Sequence, residues 1–294
     1  MSRRRGMLAC SVLLAGLLSG CAGAAPDEAG ATGSGRTPSG STATTTATAA
    51  PSATAGSSAT SGASSDPVAA FALAKAGFSS ARTSRYVVTT TYEYAGGEVL
   101  KMHRTFTVDA PHGLLSADVA FQEDSKKGRD YVSLSFVLAG GRSYVRSQGA
   151  TKWTRASTRD LATFAVPTPQ KTVSAMPAAL GSFVPSTDIG KGEISGEVDA
   201  RDYFELSGLT AIMDDPKALR DLRGTVDAHV QLQDGAVKSI RFLGQDHSFY
   251  LESDRDVPEE IETLTTYAEV EVRVTAIDHA VRIDDPRRTS SGTT

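Results

Sequence analysis

The residues with the clearest chemistry lie near the N-terminus, where Leu18-Ser19-Gly20-Cys21 follows a short apolar stretch. Three arginines, Arg3 to Arg5, precede about 12 mostly apolar residues, which is the order of a secretory signal peptide and too short a core to span a bilayer. Small residues before a cysteine are typical of bacterial lipoproteins, in which the thiol is diacylated and the chain is cut before it. We therefore expect residues 1–20 to be a signal peptide. Acyl chains such as palmitate on Cys21 would hold the protein on the outer face of the cell membrane.

An ordinary secretory peptide, cut near Ala24 and Ala25, is the alternative interpretation of this region. Loss of the three arginines moves the formal net charge from −4 to about −7, which argues against nucleic-acid binding and against electrostatic attachment to anionic lipid. Lipoprotein processing would modify Cys21 and remove Cys10, the only other cysteine. No disulfide is therefore expected in the folded part.

No catalytic motif stands out elsewhere, since Gly-x-Ser-x-Gly, Ser-x-x-Lys, His-Glu-x-x-His and phosphate-loop patterns are all missing from the sequence. Asp246-His247-Ser248 has the residue types of a hydrolase triad, but consecutive strand residues point to alternate faces and cannot form the relay. The histidines lack metal-ligand spacing: His103, His112, His229, His247 and His279. The sequence predicts neither an enzyme nor a bound cofactor or metal.

Three acidic stretches could attract calcium: Asp214-Asp215, Asp254 to Glu262, and Asp284-Asp285. They lack the alternating oxygen ligands and the glycine of a calcium loop, so solvated loops are the favoured interpretation.

Residues 22–65 are almost wholly Ala, Gly, Ser, Thr and Pro. Because they contain no aromatic or large aliphatic side chain, they cannot offset the entropy of ordering. We expect residues 21–65 to be the lipidated cysteine followed by a disordered tether of about 44 residues, with an end-to-end distance of roughly 35 to 40 Å as a flexible coil. O-glycosylation near Thr37-Pro38 is an alternative use of this composition, but a plain spacer is favoured.

The first half of the folded part is predicted to be one helix and six strands. A helix should start at Asp66-Pro67, with Val68, Phe71, Ala72 and Leu73 on its apolar side, and end near Phe78. Apolar residues then alternate with polar ones, which predicts an antiparallel meander. Its strands are centred on Tyr86 to Tyr94, Leu100 to Val108, Leu115 to Phe121, Val132 to Leu138, Tyr144-Val145 and Trp153, with a charged loop from Glu123 to Asp130.

The second half begins with one or two short helices, the second of which should start near Pro177 and end at Gly181. We expect strands to resume near Arg201 to Leu206, and a short helix to start at Asp215-Pro216. A hairpin is predicted at Asp234-Gly235. The remaining predicted strands are Val226 to Leu232, Val237 to Leu243, Ser248 to Ser253 and Tyr267 to Ile277.

These elements predict a single α+β domain over residues 66–286, about 220 residues in all, followed by a disordered tail over residues 287–294. Its expected architecture is a curved antiparallel β-sheet, or half-barrel, packed on a few short helices. Because these helices are few, a cavity beneath them could hold a hydrophobic ligand. The candidate lining residues are Val88, Met102, Phe106, Leu134, Phe136, Met176 and Leu180, which ordinary core packing would explain equally well.

Two short stretches resemble the mycobacterial lipoproteins of the LppX and LprG type, whose fold is similar to that of the LolA and LolB carriers. Gly140-Gly141-Arg142-Ser143-Tyr144-Val145-Arg146, followed by Lys152-Trp153, is similar to the turn and two aromatic strands of that family. Asp234-Gly235-Ala236-Val237 is similar to its late hairpin. The resemblance implies a half-barrel wrapped around helices, and the carriage of lipid or lipoglycan.

Two functions from different classes are consistent with the sequence. The favoured hypothesis is a monomeric, lipid-anchored protein that binds a hydrophobic molecule, with a role in envelope lipid transport. The alternative is a non-enzymatic interaction or sensor domain, presented on a long tether to an envelope protein partner.

Overall fold

The computed structural model describes residues 66–94, 97–125, 128–166, 174–213, 216–253 and 255–289, all within the unit Ala63–Thr294. The predicted signal peptide, Cys21, the tether, Asp214-Asp215 and residues 290–294 lie outside the described residues. None of the described helices is long and apolar enough to cross a membrane.

The described residues form one antiparallel sheet of eleven strands in the order β6-β5-β4-β3-β2-β1-β11-β10-β9-β8-β7. Two meanders, β1–β6 and β7–β11, meet where β1 pairs with β11, and the sheet does not close on itself because β6 and β7 form its two edges. The strands are β1 (Thr83–Glu93), β2 (Val99–Asp109), β3 (Leu114–Ser125), β4 (Gly128–Ala139), β5 (Arg142–Ser147), β6 (Thr154–Arg155), β7 (Val184–Gly190), β8 (Glu193–Asp199), β9 (Leu222–Gln233), β10 (Ala236–Leu251) and β11 (Ala268–Ile277).

The helices are short and lie between strands or at the ends of the described chain. Six of the described helices are α-helical: α1 (Pro67–Ser79), α2 (Thr158–Thr163), α3 (Ala178–Ser182), α4 (Ala200–Ser207), α5 (Glu259–Thr266) and α6 (Pro286–Thr289). Two are 3₁₀-helical: η1 (Leu209–Ile212) and η2 (Pro216–Arg220). This combination of an open, curved sheet with few helices confirms the predicted α+β half-barrel.

Residue alternation places the core on one face of the sheet, which we call the concave face. In β1 the side chains of Tyr86, Val88, Thr90 and Tyr92 are buried, whereas their neighbours along the strand are not. In register with them, β11 buries Val270 and Val272. The alternation continues across the sheet, so one apolar surface runs over both meanders.

The six-stranded first meander, the helix at Pro177 and the hairpin at Asp234-Gly235 are confirmed. The strand predicted at Arg201 to Leu206 is wrong. These residues form α4, because the Asp199 side chain caps the start of a helix by accepting from the Arg201 amide at 2.8 Å, and left-handed Gly208 ends it.

The sequence did not predict strands β7 and β8. The bounds of β3, β4 and β10, and the structure of the acidic loop, also differ from the prediction. Strands β3 and β4 extend into the predicted charged loop, where Asp124 pairs with Arg129. The two strands predicted over residues 237–253 form a single strand, β10, whose pairing with β9 shifts between Leu243 and His247. The predicted acidic loop ends in a helix, α5, which buries Ile261 and Leu264.

Helix α1 begins as predicted, with Asp66 accepting a hydrogen bond from the Val68 amide at 3.0 Å and Pro67 in the first turn. Its buried side is different from the prediction. Phe71, Ala74 and Phe78 face the core, whereas Val68, Ala72 and Leu73 are exposed. The helix is apolar on both sides, so apolar periodicity alone could not identify the side that packs.

The long β9–β10 pairing depends on Gly224, which pairs with Phe249 at a φ of +112°. A Cβ there would lie 1.7 Å from the Ser248 carbonyl oxygen, whereas Gly149, at a φ of +80°, has no atom within 4 Å of its Cβ position. We expect Gly149→Ala to cost about 1 kcal/mol of unfolding free energy through strain alone. Gly224→Ala should cost at least about 3 kcal/mol because the strands must separate. Urea denaturation measures both values, and equal losses would contradict this steric explanation.

Candidate functional site

The five predicted lining residues on strands lie together on the concave face, around Arg104. Val88 on β1 pairs with Arg104 on β2, which pairs with Val119 on β3, and Val119 pairs with Leu134 on β4. Two residues further along β2, Phe106 pairs with Ala117 on β3, which pairs with Phe136 on β4. These side chains and Met102 are buried, so the structure brings the strand candidates into one apolar surface.

The segment from Leu161 to Val166 packs over this surface. Helix α2 is followed by its C-cap, Phe164, whose ring centroid lies 5.4 Å from that of Phe121 and 5.6 Å from that of Phe136. Leu161 and Val166, from the same segment, are also buried. In this closed arrangement, protein side chains occupy the concave face over β2 to β4.

The other two predicted lining residues belong to the cover, not to the sheet. Leu180, on α3, is buried, and half-buried Met176 packs on the core just before that helix. This segment is tied to the central strand β1, since the hydroxyl of Ser84 donates to the Ala175 carbonyl at 2.5 Å. We call the buried side chains of the concave face the floor of the site. We call the segments that pack on it, residues 161–166, residues 175–183 and α4, the cover.

Arg104 holds two parts of the cover to the floor and is the largest fully buried side chain described. Its Nη1 donates to the carbonyl of Ala165 at 3.3 Å, just after α2, and its Nη2 donates to the carbonyl of Leu206 in the last turn of α4. From β1, the hydroxyl of Thr90 donates to the Ser207 carbonyl at 2.6 Å. Arg104 Nη2 and the Thr90 hydroxyl therefore satisfy two carbonyls at the C-terminus of α4. The helix dipole at this end favours the positive charge of Arg104.

The electrostatics of Arg104 are unusual for a core residue. No carboxylate among the described residues forms an ion pair with it, and its buried Nε finds no hydrogen-bond partner among them. Burial lowers the pKa of Arg104 to about 9, partly offset by Tyr86, so the guanidinium is charged at neutral pH. A buried charge whose partners are two neutral carbonyls and, at 5.9 Å, the Phe106 ring costs free energy, which makes this junction a weak point in the cover.

The backbone around this junction is also constrained. Ala165, which accepts from Arg104, adopts a left-handed φ of 49°, a conformation that disfavours residues with a Cβ. Gly208, at the end of α4, lies so close to the floor that a Cβ would be 2.7 Å from the Met102 sulfur and 3.1 Å from Arg104 Cζ. Gly208 therefore permits the close approach of α4 to β2.

Arg104 and Phe164 are site residues that were not predicted from the sequence. The only signal for Arg104 was that a charged residue interrupted the apolar alternation of β2. Its two acceptors lie 61 and 102 residues away in the chain, so no local pattern could reveal them.

The residues considered for other chemistry are dispersed. His247 contacts the Gly244 carbonyl at 2.9 Å and stacks on Phe249, whereas His229 contacts Glu193 at 3.1 Å. Within the described ranges, no group of three or more His, Cys, Asp and Glu side chains is placed to hold a metal ion. Trp153 is half-buried beneath Arg146, whose Cζ lies 4.5 Å from the ring, and not in the core.

A groove of about 350 Å³ lies on the outer face of the sheet, across β1, β10 and β11. It is lined by Thr89, Thr91, Arg241, Phe242, Leu243, Glu269, Val270 and Glu271, and it contains none of the predicted lining residues. The charged side chains of Arg241, Glu269 and Glu271 make it a poor match for an acyl chain.

No protein-family model and no curated protein matches the sequence. Among solved structures, the chain is similar to LprF from Mycobacterium bovis, with 12% identity and a TM-score of 0.41 over 75% of this chain and 96% of that one. It is also similar to the LolA superfamily protein NE2245 from Nitrosomonas europaea, with 9% identity and a TM-score of 0.28 over 74% and 94% of the two chains. The description of the fold rests on the strand order and register.

Arg104→Met should loosen the cover, because it removes the guanidinium donors and leaves an unbranched apolar side chain in their place. The carbonyls of Ala165 and Leu206 would lose their donor, so we expect faster amide hydrogen exchange in residues 161–166 and 204–209. Exchange in α5 serves as an internal control, because α5 does not contact Arg104. Unchanged protection in both cover segments would show that Arg104 does not hold them.

Tyr203→Phe should stabilise the protein. The Tyr203 hydroxyl is buried without a hydrogen-bond partner among the described residues, so its removal should raise the unfolding free energy by about 1 kcal/mol. Burial also raises the pKa of Tyr203 above the ordinary value of 10.0. Above pH 10 the unfolded chain loses this proton before the folded chain does, so stability falls as pH rises.

The variant should therefore lose less stability between pH 9 and pH 11 than the parent protein, as measured by urea denaturation at each pH. The control is Tyr250→Phe, at an exposed tyrosine. A Tyr203→Phe profile parallel to that of the parent would rule out the buried phenol as a cause of alkaline destabilisation.

Proposed function

We propose that this protein is a membrane-anchored, extracytoplasmic lipoprotein that binds a hydrophobic molecule, most simply a lipid, between the concave face and its cover. One observation carries the proposal: a broad apolar sheet face is closed only by short, separate helices, and two of the covering segments are held to it by a buried, incompletely satisfied arginine. In this proposal, residues 161–166 move away from the sheet, which exposes the concave face from Val88 to Phe136.

The energies involved favour exchange of the cover for a ligand. Exposing the side chains of Leu161, Phe164 and Val166 would cost about 6 kcal/mol, at about 2 kcal/mol for each buried apolar side chain. Burying a 16-carbon acyl chain would gain about 12 kcal/mol, at about 0.8 kcal/mol for each methylene group. The surplus can offset the polar bonds lost at Arg104 and the entropy of binding.

Anchoring is the second part of the proposal, and it is supported by the order of basic residues, apolar core and Leu18-Ser19-Gly20-Cys21. The tether over residues 22–65 would let the domain move between the outer face of the membrane and more distant acceptors. We propose envelope lipid transport without covalent chemistry as the role of this arrangement.

The binding site can be tested with a photoreactive fatty acid that carries a diazirine on its acyl chain. The full chain, purified with its natural processing, is incubated with this probe, irradiated, digested and analysed by mass spectrometry. We expect crosslinks on concave-face peptides that contain Met102, Phe106 or Phe136, and competition by unlabelled fatty acid. Crosslinks confined to outer-face residues, or no saturable crosslinking, would contradict the proposed site.

Cys21→Ser tests the anchor. Loss of the thiol should abolish incorporation of labelled palmitate and prevent cleavage before residue 21, so the precursor should accumulate. Cys10→Ser is the matched control and should leave both steps intact. Palmitate labelling and the intact mass of the protein measure the outcome, and normal processing of Cys21→Ser would favour the ordinary secretory peptide.

A second candidate function is an interaction or sensor domain that binds an envelope protein partner. The closed packing favours it: Val88, Met102, Phe106 and Phe136 are buried by protein side chains, so the fold does not require a ligand. A stoichiometric protein partner, together with a ligand-free mass in native mass spectrometry and no crosslinking by the fatty-acid probe, would support this function over lipid binding.

A further inference from the structure

The outer side of α1 is an exposed apolar surface. Phe71, Ala74 and Phe78 anchor the helix in the core, and the opposite side presents Val68, Ala72, Leu73 and Ala76. Leu73 is 71% exposed, the largest value among the exposed large apolar side chains described. The helix packs well without these side chains, so the fold does not explain their apolar character.

A second segment of the chain packs beside α1. The ring centroids of Phe71 and Phe183 lie 4.8 Å apart, and the Ser79 hydroxyl lies 3.5 Å from the Met176 sulfur. Val184, the next residue after Phe183, is exposed and points away from α1, because successive side chains of an extended segment lie on opposite faces. We call Val68, Ala72, Leu73 and Ala76 the entry face, because they lie on the first helix of the folded domain.

The entry face and the segment beside it are nearly free of charge. Residues 67–81 and 174–187 contain one charged side chain, Lys75, in a protein in which 22% of residues are charged. The Lys75 ammonium donates to the Gly181 carbonyl at 2.6 Å, which links the two segments. Apart from Asp66, which caps the start of α1, these segments contribute no carboxylate, so this part of a net-negative protein can approach an anionic membrane at a low electrostatic cost.

We propose that the entry face docks into the outer surface of the membrane that carries the proposed lipid anchor. This inference rests on the anchoring part of the proposed function, because residues 22–65 would connect the anchored Cys21 to this helix. An exposed apolar helix side can lie in the lipid interface without spanning the bilayer. Docking would orient the half-barrel relative to the lipid surface while the tether limits how far it can leave.

The test uses the full, lipidated protein reconstituted into vesicles of phosphatidylglycerol and phosphatidylethanolamine. Trp153→Phe removes the only native tryptophan. In that background, Leu73→Trp should show blue-shifted emission and quenching by brominated lipids. Tyr131→Trp is the control, because Tyr131 is exposed on β4, outside the entry face, and should show neither effect.

A second variant tests the apolar contribution. Leu73→Asp should reduce the ratio of docked to undocked protein by about tenfold, since it replaces the leucine that docking would bury in the lipid with a charged side chain. The docked ratio is read from a brominated-lipid quenching signal at Ala76→Trp, in the same background.

Three results would overturn the proposal: no quenching at Leu73→Trp, equal quenching at Tyr131→Trp, or a blue shift that depends on protein concentration and occurs without vesicles. The last result would identify a second copy of the chain as the occupant. Cargo binding is measured separately by crosslinks to the concave face, and acylation by palmitate labelling. Failure of docking is therefore distinguishable from failure of the proposed function.

Discussion

Burial of one apolar sheet face is the constraint on which the rest of this structure depends. Nine of the eleven strands, β1 to β5 and β8 to β11, bury apolar side chains on the concave face, and an open sheet of this kind needs a second layer. The described part of the chain supplies no second sheet. Short helices inserted between β6 and β7, and between β8 and β9, form the layer instead, together with α1 before the first strand.

Polar contacts decide how this layer is attached. A continuous apolar interface would hold each helix without specific donors, whereas here Arg104, Thr90 and Ser84 each donate from the sheet to a carbonyl of the covering segments. Each of these hydrogen bonds has one defined partner, so a covering segment can leave the sheet when a few bonds break. A close-packed interior lacks such separable contacts. A cover that can be released, above a face that favours any apolar occupant, is the physical basis of the lipid-binding proposal.

Much of the sheet could be predicted from the sequence because alternation of apolar residues is a local signal. It identified β1 to β5, β9 and β11, and placed Val88, Met102, Phe106, Leu134 and Phe136 on one face. Strands β7 and β8 were missed because Pro185, Gly190 and Gly192 interrupt the pattern, and α4 was mistaken for a strand because Tyr203 and Phe204 favour strands. The cover could not be predicted, since the partners of Arg104 and Phe164 are distant in the chain.

The central claim is that the cover moves when a hydrophobic molecule binds. A pulsed electron paramagnetic resonance measurement between spin labels at Ala162 on α2 and Lys101 on the outer side of β2 tests it most directly, because both residues are exposed. The sequence carries no cysteine after Cys21, and Cys10→Ser with Cys21→Ser removes the two native thiols, so the labels can be attached at the two introduced cysteines alone. Addition of a long-chain fatty acid should convert the single distance of the closed state into a longer one. An unchanged distance at saturating fatty acid would contradict this claim.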